Sequence, residues 1–259
     1  MDLTGHTALV TGASAGIGTA FADALAARGA DLILVARRED RLTALAETLR
    51  ARHGHDVHVI AADLAVSGAG AALAATTEGR GLEVDILVNN AGFGSHGDVA
   101  QTEPERLTSQ IQLNITTLTD LTRVYLPGMI KRSCGAVVNV ASSAAYQPVP
   151  HMAVYAATKA YVLSFTEALW AETRHTPVRV LAVSPGATET EFFDVAGESA
   201  RVGRTQTPEA VVATAMRALG RRRGSGSVIS GLPNSVNAAA IRFTPRRVAV
   251  LATERLTRG

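Results

Sequence analysis

Cysteine is nearly missing from this chain: Cys134 stands alone among 259 residues, which excludes an intrachain disulfide. With no activating partner evident in the sequence, that thiol is expected to be a turn residue and not a nucleophile. Long apolar runs are missing as well. No stretch reaches the ~18 residues of a transmembrane helix, and the start Met1-Asp2-Leu3-Thr4-Gly5-His6 lacks the basic residues of a targeting segment, so a cytoplasmic protein is expected. Repeats, low-complexity tracts and a Gly- or Pro-rich linker are absent too, and the expectation is one domain over residues 1–259. Charged residues make up 19% and hydrophobic ones 47%, enough apolar material for a full core.

Acidic residues are scarce at one end. Between Arg217 and Gly259 nine arginines face the single acid Glu254, so this stretch carries +8 against −6 for the remainder. Aromatic residues do not interleave with them and no nucleic-acid motif accompanies them. Helix-face solvation or contact with a neighbouring subunit is therefore expected, ahead of nucleic acid or anionic lipid.

Short β-rich apolar runs alternate with helical patterns. Residues 7–11, 31–36, 57–61, 85–89, 136–141, 178–183 and 227–230 look like buried strands. Helical stretches between them predict an α/β fold: a doubly wound sandwich with a seven-stranded parallel sheet flanked by helices on both faces. Its ligand crevice would lie at the carboxyl ends of the strands.

The unusual residues fall at those ends. After the first strand comes Thr11-Gly12-Ala13-Ser14-Ala15-Gly16-Ile17-Gly18, whose glycines allow a tight turn and close approach of amides to a pyrophosphate at a helix N-terminus. The second strand ends Ala36-Arg37-Arg38, where guanidiniums suit a 2′-phosphate better than ribose hydroxyls, favouring NADP(H) over NAD(H). A surface turn capped with Glu39 and Asp40 is the alternative. Asp63 would bond adenine or serve as an ordinary N-cap. Asn89-Asn90-Ala91-Gly92 offers small residues for backbone approach and an asparagine to tie strands together. Asn114 falls inside a long helical pattern from about 105 to 131 and in isolation reads as surface decoration.

Tyr155 and Lys159 stand four residues apart, with Ser142 thirteen positions before the tyrosine. On a helix that step places both side chains on one face. Moving a phenol from ~10 to roughly 7 takes about 4 kcal/mol, which one cation at ~4 Å supplies at an effective dielectric of ~20. The same spacing arises by chance on amphipathic helices, so the pair alone assigns nothing.

In combination, the glycine turn, Asn89-Asn90-Ala91-Gly92, Asn114, Ser142, Tyr155-x3-Lys159 and Pro185-Gly186 closely resemble the short-chain dehydrogenase/reductase family over residues 5 to 232. The resemblance implies a Rossmann-like fold and a cofactor-dependent oxidoreductase of ketones and alcohols. Tyr155 would protonate the carbonyl oxygen, Lys159 lower its pKa and hold the nicotinamide ribose, and Ser142 bond the same oxygen, with Ser143 as its rival. Asn114 would hold a water that links Lys159 to solvent. Gly12, Ser14, Ala15, Gly16, Ile17, Gly18, Arg37, Arg38, Asp63, Leu64, Asn90, Ala91, Gly92, Pro185, Gly186 and Thr188 would join Tyr155 and Lys159 around NADP(H), and a homodimer or homotetramer is implied.

Other residues carry less. His53, His55 and His58 precede the third strand, far from the crevice, and are expected to be solvated or packed, not metal ligands. His151 reads as a helix-start residue, and Phe93, Tyr146, Val149, Phe192 and Phe193 as pocket lining or core packing. Residues 235–259 form a basic, helix-patterned extension that would cover the cleft, meet a partner subunit or rest on a membrane surface. The expected activity is reduction of a fairly apolar ketone. A 3-oxoacyl thioester reductase is the alternative, and a non-catalytic NADP(H)-sensing scaffold the last.

Overall fold

A computed structural model describes residues 2–197, 203, 205–221 and 224–257. The first half runs β1 (Thr7–Thr11), α1 (Gly16–Ala26), β2 (Asp31–Ala36), α2 (Glu39–His53), β3 (Val57–Ala61) and α3 (Ala69–Gly79). The second runs β4 (Ile86–Asn89), α4 (Pro104–Ile111), α5 (Leu118–Arg132), β5 (Ala136–Val140), α6 (Ala153–Thr173), β6 (Arg179–Ser184), α7 (Phe192–Ala196), α8 (Pro208–Leu219) and β7 (Ser227–Ile229). Two further helices, α9 (Leu232–Phe243) and α10 (Arg246–Thr257), follow. All seven strands pair in parallel in the order β3-β2-β1-β4-β5-β6-β7. The expected Rossmann-like sandwich is the fold, with four strands shifted at one or both ends by one residue.

The period-two pleat explains why the strands are apolar throughout. Ala8 and Val10 of β1, with Leu32 and Leu34 of β2, pack on Phe21 and Leu25 of α1, Leu42 and Leu49 of α2, and Val212 and Met216 of α8. The residues between them, Leu9, Ile33 and Val35, point to the opposite layer, against Leu73 of α3, Leu121 and Met129 of α5, and Leu169 of α6. The strand order reverses between β1 and β4, and a ligand crevice opens at such a switch point.

Three local features depart from the sequence expectation. The long helical pattern from 105 to 131 is interrupted by a π-helical turn, Gln112–Thr117, between α4 and α5. The C-terminal segment is not one helix: it begins at Leu232 and breaks at Thr244, whose extended backbone (φ −88°, ψ 130°) is what Pro245 imposes on the residue before it. His151 lies outside α6, in a left-handed conformation at φ 61°. Of the basic extension, Arg258 and Gly259 lie outside the described residues, as do Arg222 and Arg223 before β7.

Candidate active site

The turn after β1 is built for close approach. Gly12 and Gly16 adopt φ 65° and 55°, which disfavour any side chain. Gly18 has an ordinary backbone, yet a Cβ there would lie 2.2 Å from the Gly12 carbonyl oxygen, so it is the α1–turn packing that requires glycine. Ala15, at the N-cap of α1, has no side chain that could bond the first amides of the helix, which face the crevice with Gly16, Ile17 and Gly18.

Asparagines pin this turn to its neighbours. Asn90 donates from Nδ2 to the Thr11 carbonyl (2.9 Å) and the Gly12 carbonyl (3.2 Å), while the amides of Asn90 and Ala91 both donate to Thr11 Oγ1 at 3.0 Å. Asn89 is buried and reaches the other way, from Nδ2 to Asn139 Oδ1 (2.9 Å) on β5; Asn139 in turn donates to Thr166 Oγ1 of α6 at 2.9 Å.

Asn114 is buried, not surface decoration. The π-helical turn carries it inward, where Nδ2 donates to the Phe93 carbonyl and to Thr158 Oγ1, each at 3.0 Å, and Oδ1 accepts from the Phe93 amide at 3.2 Å. Gly92 passes between Asn114 and Lys159: a Cβ on it would lie 3.0 Å from Asn114 Oδ1 and 3.5 Å from Lys159 Nζ.

Ser142, Tyr155 and Lys159 meet at the ends of β5 and α6. Ser142 opens a 3-10 turn over Ser143–Tyr146, accepting from the Ala144 amide at 3.1 Å. Burial pushes the Tyr155 phenol above its ordinary value of 10, with the Ser142 hydroxyl beside it pulling the other way. Ser143 instead donates its amide to the Pro185 carbonyl at 2.7 Å. Lys159 is buried, and desolvation lowers its pKa to about 8. Its Nζ donates to the Val140 carbonyl at 2.7 Å and lies 5.9 Å from the Tyr155 ring centroid. In this arrangement burial outweighs any lowering of the phenol, and the Lys159 ammonium is engaged with the Val140 carbonyl. The Phe192 ring packs tilted against Tyr155, 5.2 Å between centroids, and Val149, Met152 and Ala156 form an apolar wall beside them.

At the end of β2, Arg37 is exposed and Arg38 is engaged. Arg38 stands at the N-cap of α2, before Glu39 and Asp40, but its side chain makes no cap bond there: it donates to Ser14 Oγ from Nε (3.3 Å) and Nη2 (3.0 Å) and to Glu191 Oε2 from Nη1 (2.7 Å). Asp63 accepts from the Ala65 amide at 2.9 Å in a local turn and caps no helix. Leu64 is buried, its carbonyl accepting from Thr117 Oγ1 at 2.8 Å. After β6, Thr188 donates to the Gly186 carbonyl at 2.9 Å, and Asn234 of α9 packs so closely that a Cβ on Gly186 would meet its Nδ2 at 2.3 Å.

Several other candidates settle into structural places. His53 pairs with Asp23 at 3.0 Å, and no cluster suited to a metal ion occurs among the described residues. His151 bonds Asp98 at 2.7 Å and faces the His96 ring at 5.7 Å, while His96 meets the Thr257 carbonyl of α10 at 2.9 Å. Cys134 does have a neighbour: its sulfur lies 3.8 Å from His6 Nδ1. Glu191 was not foreseen; it is 153 positions from Arg38, and no spacing rule links them. Phe193 is buried, with Phe192 edge-on at 5.4 Å.

The crevice thus has glycine surfaces that a side chain would fill, free helix amides, two guanidiniums, of Arg38 and Arg41, already seating the Glu191 carboxylate, and a phenol with a buried ammonium, a donor set that fits a dinucleotide. A sequence model of short chain dehydrogenases matches residues 6–200. A short chain dehydrogenase of Pseudocercospora fijiensis is 39% identical over 74% of this chain, which spans 62% of that protein's length. The very-long-chain 3-oxoacyl-CoA reductase of Mus musculus is 30% identical over 92% of this chain and 77% of its own. Among solved structures, a 7beta-hydroxysteroid dehydrogenase has a TM-score of 0.87 at 29% identity, covering 98% of this chain and 99% of that one. A short-chain dehydrogenase from Sphingobium yanoikuyae in complex with NADPH reaches 0.83 at 35% identity, with 92% of each chain covered. One from Burkholderia phymatum, in complex with NAD, reaches 0.81 at 26% identity over 92% of this chain and 93% of its own.

Proposed function

This chain belongs to the short-chain dehydrogenase family of oxidoreductases, and from that premise we propose that it is an NADP(H)-dependent enzyme that interconverts a ketone and a secondary alcohol, with Tyr155 as general acid/base. The convergence of Tyr155, Ser142 and Lys159 at the crevice, with Gly92 threaded between Lys159 and Asn114, carries this reading. A bound nicotinamide would supply or accept the hydride. Tyr155 would donate its proton to the carbonyl oxygen, and Ser142 would hold that oxygen in place. Lys159, moved from the Val140 carbonyl toward the phenol and the ribose, would supply the Coulomb stabilisation of a phenolate. Asn114, in reach of Gly92, would position the water that refills the proton. Arg38 on Ser14, with Arg37 beside it, supports a phosphate-bearing cofactor.

Val149, Met152 and Phe192 around the phenol support an apolar ketone as substrate. A 3-oxoacyl thioester is the second reading, favoured by likeness to the mouse reductase; turnover of free ketones against acyl thioesters separates the two. The fold would act as one unit, 1–259, with its C-terminal helices attached through Asn234 and the His96–Thr257 contact. Exposed Val124 and Ile130 on α5, with Tyr161 and Trp170 on α6, support a homodimer or homotetramer. Tyr155→Phe tests the central assignment. NADPH binding should stay nearly intact while ketone turnover falls by orders of magnitude; unchanged turnover refutes the proton-donor role, and no turnover by wild type on any carbonyl, despite tight NADPH binding, would point to a sensing scaffold instead.

A further inference from the structure

Glu191 stands in the turn before α7, yet its carboxylate is gripped from the far side of the crevice. Oε2 accepts from Arg38 Nη1 at 2.7 Å and Oε1 accepts from Arg41 Nη1. Arg38 places its other nitrogens on Ser14 Oγ, so one anion, two guanidiniums and one hydroxyl form a single cluster beside the β1 turn. The neighbouring Thr190 packs over Gly16, where a Cβ would lie 2.5 Å from its Cγ2. These arginines hold the Glu191 carboxyl below its ordinary range, so it stays an anion well into acid. An oxyanion whose oxygens are shared between two guanidiniums, one N–H from each, is also how a phosphomonoester would be held.

We infer that Glu191 is a specificity-determining residue, an internal rival of the cofactor's 2′-phosphate for Arg38 and Arg41. NADP(H) must displace the carboxylate before its phosphate can be paired; NAD(H), which has only a hydroxyl there, leaves the carboxylate in place. Glu191 therefore selectively weakens NADP(H) and narrows the discrimination that the arginines alone would give. The inference rests on the phosphate-bearing cofactor reading above.

Dissociation constants for NADPH and NADH, measured by titration calorimetry on the full chain at one ionic strength, test it in the wild type, Glu191→Gln, Glu191→Ala and Arg38→Ala. Both Glu191 variants should bind NADPH about threefold to tenfold more tightly, the size expected for freeing two partly exposed guanidiniums, with NADH changed by less than about twofold. Equal effects on both cofactors, no effect, or weaker NADPH binding would overturn the inference. The arginine variant separates the two layers of the reasoning. If the wild type prefers NADPH, Arg38→Ala abolishes the preference and the Glu191 variants gain nothing, only the rivalry is wrong. If the wild type binds both cofactors equally and Arg38→Ala weakens both alike, the phosphate reading fails and takes the inference with it.

Discussion

Lys159→Met should reveal how much the fold gives up to keep an ammonium beneath the crevice. Lys159 is 6% exposed, and its pKa drops from 10.5 to about 8 because burial disfavours the charged form. At ~1.4 kcal/mol per unit that is a penalty of about 3 kcal/mol at pH 7. The folded pKa lies below the unfolded one, so between them the unfolded chain binds more protons and stability must rise with pH. The penalty is complete below about 8 and relieved as pH climbs toward 10.5. Methionine removes the titration, though it also takes a donor from the Val140 carbonyl, a loss of about 1–3 kcal/mol that cancels part of the gain at pH 7. The pH dependence is free of that offset. Urea melts at pH 7 and 9.5 should show wild-type stability rising by about 2 kcal/mol relative to Lys159→Met, with m-values unchanged. A difference between the two proteins that stays constant from pH 7 to 9.5, or that moves the other way, would refute the account of Lys159 as a buried, desolvated cation.

Asn114→Ala should cost about 2–4 kcal/mol in urea melts, since the amide and carbonyl of Phe93 and the Thr158 hydroxyl lose buried partners; a loss under about 1 kcal/mol would show that these groups find other partners. Gly18→Ala, whose Cβ would lie 2.2 Å from a backbone oxygen, should weaken NADPH binding at least about tenfold by forcing the turn open. Gly54→Ala is its control: φ is 75° but no atom lies within 4 Å, so calorimetry should show intact cofactor binding and melts a loss of only about 1 kcal/mol. Equal binding losses in both would sink the packing argument.

The strands were legible because burial on both faces leaves a continuous apolar run, and the glycine turn because tight backbone approach admits few residue types. Tyr155, Lys159 and Ser142 could be placed from spacing and a family likeness. What escaped depends on contacts between distant parts of the chain. No local pattern distinguishes a π-helical turn at Gln112–Thr117 from ordinary helix, so Asn114 looked exposed when it is buried. Lys159 does lie over the Tyr155 ring, but its bond to the Val140 carbonyl on β5 follows from no spacing rule. Glu191 meets Arg38 only after the sheet has been assembled, and the left-handed turn at His151 follows from loop packing, not from its position one turn ahead of Tyr155.

The widened turn at Gln112–Thr117 also sets a phase. Each residue of a helix advances the chain by about 100° and about 1.5 Å, so one surplus residue resets the phase of α4 relative to α5. Deleting one residue from this turn would restore a regular helix, but it would turn α4, with its buried Gln110, by about that angle and swing Asn114 away from Phe93 and Thr158. A single codon here therefore sets both how α4 seats and where Asn114 points. The surplus residue serves the aim of one side chain together with the seating of the helix before it.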